Sequence, residues 1–119
     1  MARPEATVSL IHRIRDRTTF AELARARPAR RGVVSLRYVH GGDHEPARVA
    51  YSVSRGVGNA VARNRVRRRL RAAVQRWESA LAPGSAYLLV GTREVLTEDF
   101  EEIVATVGAL VRDAGDTRR

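Results

Sequence analysis

The chain has 119 residues, a formal net charge of +9, twenty-two basic residues that are all arginine, and no cysteine. That length suits one domain with a modest core, and the missing thiols exclude disulfides, thiolate zinc sites and cysteine nucleophiles. Neither a membrane-length apolar run nor an apolar stretch of signal-peptide length occurs, so a cytoplasmic protein without membrane association is expected.

Residues 1–17 are polar and basic around one apolar run, Val8-Ser9-Leu10-Ile11, and roughly the first ten are expected to be flexible. Thr19-Phe20-Ala21-Glu22 has the spacing of a capping box and predicts a short helix limited by Pro28. Val33 to Val39 alternates as a strand with Val34, Leu36 and Tyr38 on one face, followed by a turn at His40-Gly41-Gly42-Asp43. Ala47 to Val53 predicts a second strand with Val49, Tyr51 and Val53 on one side, antiparallel to the first through a hairpin-like loop. After Arg55-Gly56-Val57-Gly58-Asn59, the stripe Val66, Leu70, Ala73, Val74, Trp77 and Leu81 predicts a long amphipathic helix ending near Pro83-Gly84. Ala86 to Val90 is apolar throughout and bounded by breakers, as a central strand covered on both faces would be.

Thr97 is placed to cap a last helix, with Glu98 and Asp99 favoured by its dipole and Phe100, Ile103, Val104, Val107, Leu110 and Val111 at helical period. The tail from Asp113 is expected to fray. The order α-β-β-α-β-α implies an α/β (α+β) two-layer sandwich, a small mixed sheet of about four strands packed with helices. The strands flanking the long helix are then able to pair directly.

Charge is the most informative feature. Between Pro46 and Trp77 stand nine arginines (Arg48, Arg55, Arg63, Arg65, Arg67, Arg68, Arg69, Arg71, Arg76) and no acid, while the rest of the chain balances thirteen arginines against thirteen carboxylates. On a helical wheel Leu70, Ala73 and Trp77 fall within about 40° of Val66, and Asn64, Arg68, Arg71 and Gln75 lie opposite. Arg65 and Arg67 occupy the two shoulders, and Arg63 and Arg69 lie nearer the apolar boundary. A solvated helix face normally intersperses acids for i, i+4 pairs worth roughly 0.2–0.5 kcal/mol each, and arginines at a helix start oppose its dipole. A dense polyanion would offset both costs, so nucleic-acid contact is preferred over a merely solvated face. Gly56 and Gly58 form neither a dinucleotide loop nor a P-loop, leaving a turn with an Asn59 cap and a backbone–phosphate role as equal readings.

No catalytic constellation is legible. His12, His40 and His44 share no metal-ligand spacing, and the acidic cluster Glu98, Asp99, Glu101 and Glu102 sits where a helix start favours acids.

Ser52-Val53-Ser54-Arg55, Gly58-Asn59-Ala60-Val61 and Arg63-Asn64-Arg65-Val66-Arg67-Arg68 together closely resemble the signature of the bacterial ribonuclease P protein subunit. Fainter similarity runs from Arg13-Ile14-Arg15 and Thr18-Thr19-Phe20 to Tyr87-Leu88-Leu89-Val90 and the last helix. The resemblance implies an accessory subunit of a ribonucleoprotein endoribonuclease that removes the 5′ leader of precursor tRNA. Its partners would be the catalytic RNA and precursor tRNA, with no small-molecule substrate and with Mg2+ held mainly by the RNA. It also implies a left-handed crossover between parallel strands. By the same resemblance Arg55, Asn59, Arg63, Asn64, Arg65, Arg67, Arg68 and Arg71 contact RNA, and Phe20, Leu36, Tyr38 and Arg48 belong to a cleft for the single-stranded leader. No catalytic or metal-binding side chain is implied. The chain departs from the family pattern at Gly56, Ala24 and Glu94, where a basic residue, an aromatic and a proline are usual. A ribosomal or general structural RNA-binding protein is the alternative, since it would use the same arginine face; a DNA-binding module and a stand-alone metal nuclease follow behind it.

Overall fold

A computed structural model describes residues 11–41, 46–54 and 56–117. In chain order the elements are β1 (Ile11–Arg13), α1 (Arg17–Arg25), β2 (Ala29–Arg31), β3 (Val34–Val39), β4 (Ala47–Val53), α2 (Ala60–Gln75), β5 (Ala86–Gly91) and α3 (Phe100–Thr117). Single 3-10 turns lie at Glu78–Ala80 and Arg93–Leu96. The strands form one mixed sheet in the order β1-β4-β5-β3-β2. β4 runs parallel to both β1 and β5, and β3 is antiparallel to both β5 and β2. The α+β architecture and the element order read from the sequence are those of the molecule, with the three-residue edge strands β1 and β2 added.

The expected hairpin between β3 and β4 does not form, because β5 lies between them and pairs with each. β5 is the strand that is apolar on both faces, so the centre of the sheet buries most of it; β3 and β4 carry Ser35, Arg37, Arg48 and Ser52 on one face and tolerate flanking places. The end of β3 and the start of β4 therefore lie two strand widths apart, roughly 10 Å. The direct parallel pairing of the strands that flank the long helix is present.

One face of the sheet, carrying Val34, Leu36, Ala47, Val49, Tyr87 and Leu89, packs against Val66, Leu70, Ala73 and Val74 of α2 and Ile103, Val107 and Val111 of α3. On the opposite face Leu23 of α1 joins Ile14 and Ala86 in a smaller cluster flanked by Val39, Ala50 and Leu88. α1 covers only part of that face, and Ser35, Ser52 and Val90 beyond it are half-buried.

Helix boundaries differ from the sequence reading in several places. α2 stops at Gln75 rather than near Pro83, and the indole N–H of Trp77 turns to donate to the Val104 carbonyl at 2.8 Å, tying the end of α2 to α3. α3 starts at Phe100, with an Asp99 carboxylate oxygen accepting from the Glu101 amide at 3.1 Å; the Thr97 hydroxyl instead donates to the Glu94 carbonyl. α3 also continues through Thr117, into the segment expected to fray.

α1 is capped by Asp16, not Thr19. The Asp16 carboxylate accepts from the Thr19 amide at 2.8 Å and from its hydroxyl at 2.7 Å, and Arg48 reaches it at 3.3 Å. A carboxylate accepts from several donors at once and suits the helix dipole, so it displaces the hydroxyl as cap. The Thr19 side-chain hydrogen bond, then its backbone N–H, with Arg48 adding attraction, hold the Asp16 carboxyl below its ordinary value of 3.8. Because the folded-state value is depressed, the stabilisation of α1 is complete above that ordinary value and is lost as pH falls through the lower one. The Thr19 amide resonance should titrate below about pH 4 and stop titrating in Asp16→Asn; a pH-independent wild-type resonance would contradict the capping role.

Candidate nucleic-acid interface

Two glycines with positive φ, Gly56 (83°) and Gly58 (134°), turn the chain from β4 into α2. Asn59 then caps the helix, its side-chain oxygen accepting from the Ala62 amide at 2.9 Å. No acid stands in the first turn of α2, so the positive end of its dipole is uncompensated beside Arg63. Val66, Leu70, Ala73 and Val74 are buried, which pins the rotation of the helix and turns the arginines outward.

Arg63, Asn64, Arg65, Arg68 and Arg71 are exposed, and Arg67 and Arg69 are half-buried. The ion pairs of the described residues join Arg48 to Asp16 and Arg76 to Glu101, each at 3.3 Å. Among those residues, none of Arg63, Arg65, Arg67, Arg68 and Arg71 is paired with a carboxylate. Arg67 donates to Asn64 at 3.1 Å, which fixes one guanidinium against its neighbour on the same helix. Arg55 lies outside the described residues.

The two flanks of the helix are built differently. Toward β4, the Arg71 guanidinium sits 5.4 Å from the centroid of the Tyr51 ring, within cation–π range. Burial pushes the Tyr51 hydroxyl up to about 12 against the opposing pull of Arg71, so the ring stays neutral at physiological pH. Toward α3, Arg69 lies 5.7 Å from the Phe100 centroid and donates to the Glu98 carbonyl at 2.5 Å. The wheel places Arg69 near the apolar boundary, but its partner is not legible in the sequence, where Phe100 reads as a core position of the last helix.

The residues expected to form a leader cleft do not all share a surface. Phe20 is 42% exposed on α1. Arg48 lies on the same side of the sheet, donating to the Thr19 hydroxyl at 3.0 Å as well as to Asp16, with its Nε buried and without a hydrogen-bond partner. Leu36 and Tyr38 are on the other side. Leu36 is buried in the main core, and Tyr38 packs against Tyr87 with ring centroids 5.0 Å apart and its hydroxyl 3.1 Å from that of Ser85. Strand alternation is the reason: residues facing α2 and α3 cannot also face α1. The side chains that do face α1 from β3 are Ser35, Arg37 and Val39. Arg37, unmarked by sequence reasoning, donates to the carbonyls of Ala24 (3.1 Å) and Ala26 at the end of α1, where a cation complements the dipole.

Among the described residues no three His, Asp or Glu side chains converge as a metal site, and no helix is long and apolar enough to cross a membrane. What the surface offers is an array of guanidinium donors, suited to phosphate oxygens, on a helix held rigidly by the core.

The chain matches the family model described as Ribonuclease P over residues 10–115. It is similar to the ribonuclease P protein component of a Nocardioides species, 41% identical over 115 residues covering 87% of this chain and 97% of that protein. It is also similar to that of Gluconacetobacter diazotrophicus, 35% identical with 87% and 91% covered. Among solved structures, the RNase P protein from Thermotoga maritima superposes with a TM-score of 0.73 at 19% identity, covering 86% of this chain and 96% of that one. The Staphylococcus aureus RNase P protein gives 0.71 at 17%, with 87% and 94% covered; at such identities these two speak for the fold. A fold shared with those structures, an arginine face without carboxylate partners among the described residues, and relatives matched along nearly their whole length have one common meaning: the chain belongs to the ribonuclease P protein component family.

Proposed function

We propose that the chain is the protein subunit of ribonuclease P, binding the catalytic RNA through α2 and the 5′ leader of precursor tRNA along the sheet face beside α1, and thereby assisting Mg2+-dependent removal of the leader. The observation that carries this reading is the row Arg63, Arg65, Arg67, Arg68 and Arg71, held outward by a buried opposite face and left without carboxylate partners among the described residues. Arg63, Arg65 and Arg68 reach phosphates as free guanidiniums, while Asn64 fixes Arg67 and Tyr51 backs Arg71. Asn59 acts through its cap, which sets where α2 begins.

The leader occupies the half-buried strip of Ser35, Ser52 and Val90 that α1 leaves uncovered, with Phe20 as an aromatic platform worth about 1–3 kcal/mol per stacked base. Arg48 and Arg37 hold the two ends of α1 and so set the width of that strip. Magnesium, held mainly by the RNA, would supply the activation of the attacking water. The protein's part is to neutralise phosphate charge and position both RNAs.

This division is tested by comparing the affinity of the protein–RNA complex for precursor tRNA and for mature tRNA. The precursor should bind more tightly, and Phe20→Ala should remove roughly 5-fold or more of that preference. Equal affinities in the wild-type complex would refute the leader role.

A further inference from the structure

We propose that the depression where α2 meets the start of α3 receives one unstacked nucleobase of the catalytic RNA, with Arg65 and Arg68 holding the phosphates beside that nucleotide. The inference rests on the RNA-binding reading of α2 and specifies what one flank of it recognises. The cavity, about 390 Å³, is lined by Arg65, Arg68, Arg69, Ala72, Leu96 and Phe100. Half of that lining is guanidinium and half is apolar, and no carboxylate belongs to it.

A site for phosphate alone needs no apolar floor. A site for a base does, because unpaired bases are read by stacking on aromatic rings or on guanidinium planes. Arg69 is built as such a plane: it is half-buried, anchored to the Glu98 carbonyl, backed by the Phe100 ring, and carries a buried Nε without a hydrogen-bond partner. The 5.7 Å between guanidinium and ring leaves no room for a base between them, since two stacked contacts need about 7 Å. The base therefore lies on the outer side of Arg69, against Ala72 and Leu96.

Arg65, Arg68 and Ala72 follow one another at i, i+3 and i+7 and share a stripe. Val61, one turn earlier on that stripe, is 70% exposed and extends it with an apolar contact. Phe100, on the α3 side of the cavity, is followed in sequence by Glu101, which Arg76 engages, and by Glu102. The RNA backbone must then approach from α2, where Arg65 and Arg68 project. At the low end of the roughly 300–1,000 Å³ typical of small-ligand pockets, the depression is of a size to receive a single base.

The chain's lack of cysteine makes Ala72→Cys a single attachment point for an aryl azide. Irradiated in complex with the catalytic RNA, it should cross-link to one or two adjacent unpaired nucleotides. An abasic replacement at that nucleotide should weaken binding of the wild-type protein by about 5- to 150-fold. Phe100→Leu should weaken binding to intact RNA comparably and add little to the abasic loss. Ala72→Gln, at an exposed helical position that leaves folding intact, should do the same by filling the cavity, and serves as the second variant should Phe100→Leu unfold. Cross-links spread along duplex backbone, or abasic and protein losses that simply add, overturn the base site. Either result leaves the broader reading untouched, because precursor cleavage by the wild-type protein and RNA is scored separately.

Discussion

Replacing Arg65, Arg67 and Arg68 together by alanine should lower affinity for the catalytic RNA by roughly 100-fold and flatten its salt dependence by about two to three units of slope. Each lost phosphate contact removes close to one released counterion and about 1 kcal/mol of net binding, and the three side chains sit within about one turn of one rigid helix. Folding should hardly change. Arg65 and Arg68 are exposed, Arg67 bonds to Asn64 on the same helix, and exposed helix positions accept alanine within about 0.5 kcal/mol. Binding isotherms at several salt concentrations, beside thermal unfolding of the same protein, separate the two effects. An unchanged slope in the folded triple variant would mean that the face is only solvated.

Gly91→Ala should be strongly destabilising. Gly91 ends β5 beneath α2, and a Cβ there would lie 2.8 Å from Val66 Cγ1, 3.0 Å from Leu70 Cδ1 and 3.2 Å from Val95 Cγ2. All three neighbours are fully buried, so none can swing aside without opening the core elsewhere. Overpacking of this kind costs about 1–3 kcal/mol, or roughly 5–15 °C in Tm for a domain of this size. Because Val66 and Leu70 are the residues that seat α2 on the sheet, RNA affinity should fall as well, even at temperatures where the variant is folded. Full stability in Gly91→Ala would show that α2 rests on the sheet less tightly than the geometry requires.

The sequence made the long elements legible because their apolar periods are strong. Val66, Leu70, Ala73 and Val74 fixed the rotation of α2, and with it which arginines face outward. Ala86 to Val90 announced a central strand. What it did not announce was strand order: pairing of β3 with β4 is the local solution, and β5 displaces it only because a strand apolar on both faces gains more at the centre of the sheet. The edge strands β1 and β2 are too short for any period to register.

The same limit governed the candidate sites. The outward-facing arginines follow from helical geometry, which one segment determines by itself. The cleft residues depend on which sheet face α1 covers, and two of the four, Leu36 and Tyr38, proved to lie on the opposite face. Arg37 and the Arg69–Phe100 contact are products of packing between distant segments, and no local pattern encodes them.

The central claim is that the polypeptide supplies charge and position while the RNA and its ions break the bond. Its most direct test is precursor tRNA cleavage followed across a magnesium titration with catalytic RNA alone, with protein alone, with both, and with the Arg65, Arg67 and Arg68 triple variant plus RNA. The account predicts no cleavage by protein alone at any magnesium concentration, a midpoint shifted to lower magnesium when wild-type protein joins the RNA, and most of that shift lost with the triple variant. Cleavage by the protein unaided, or a midpoint that wild-type protein leaves unmoved, would contradict it.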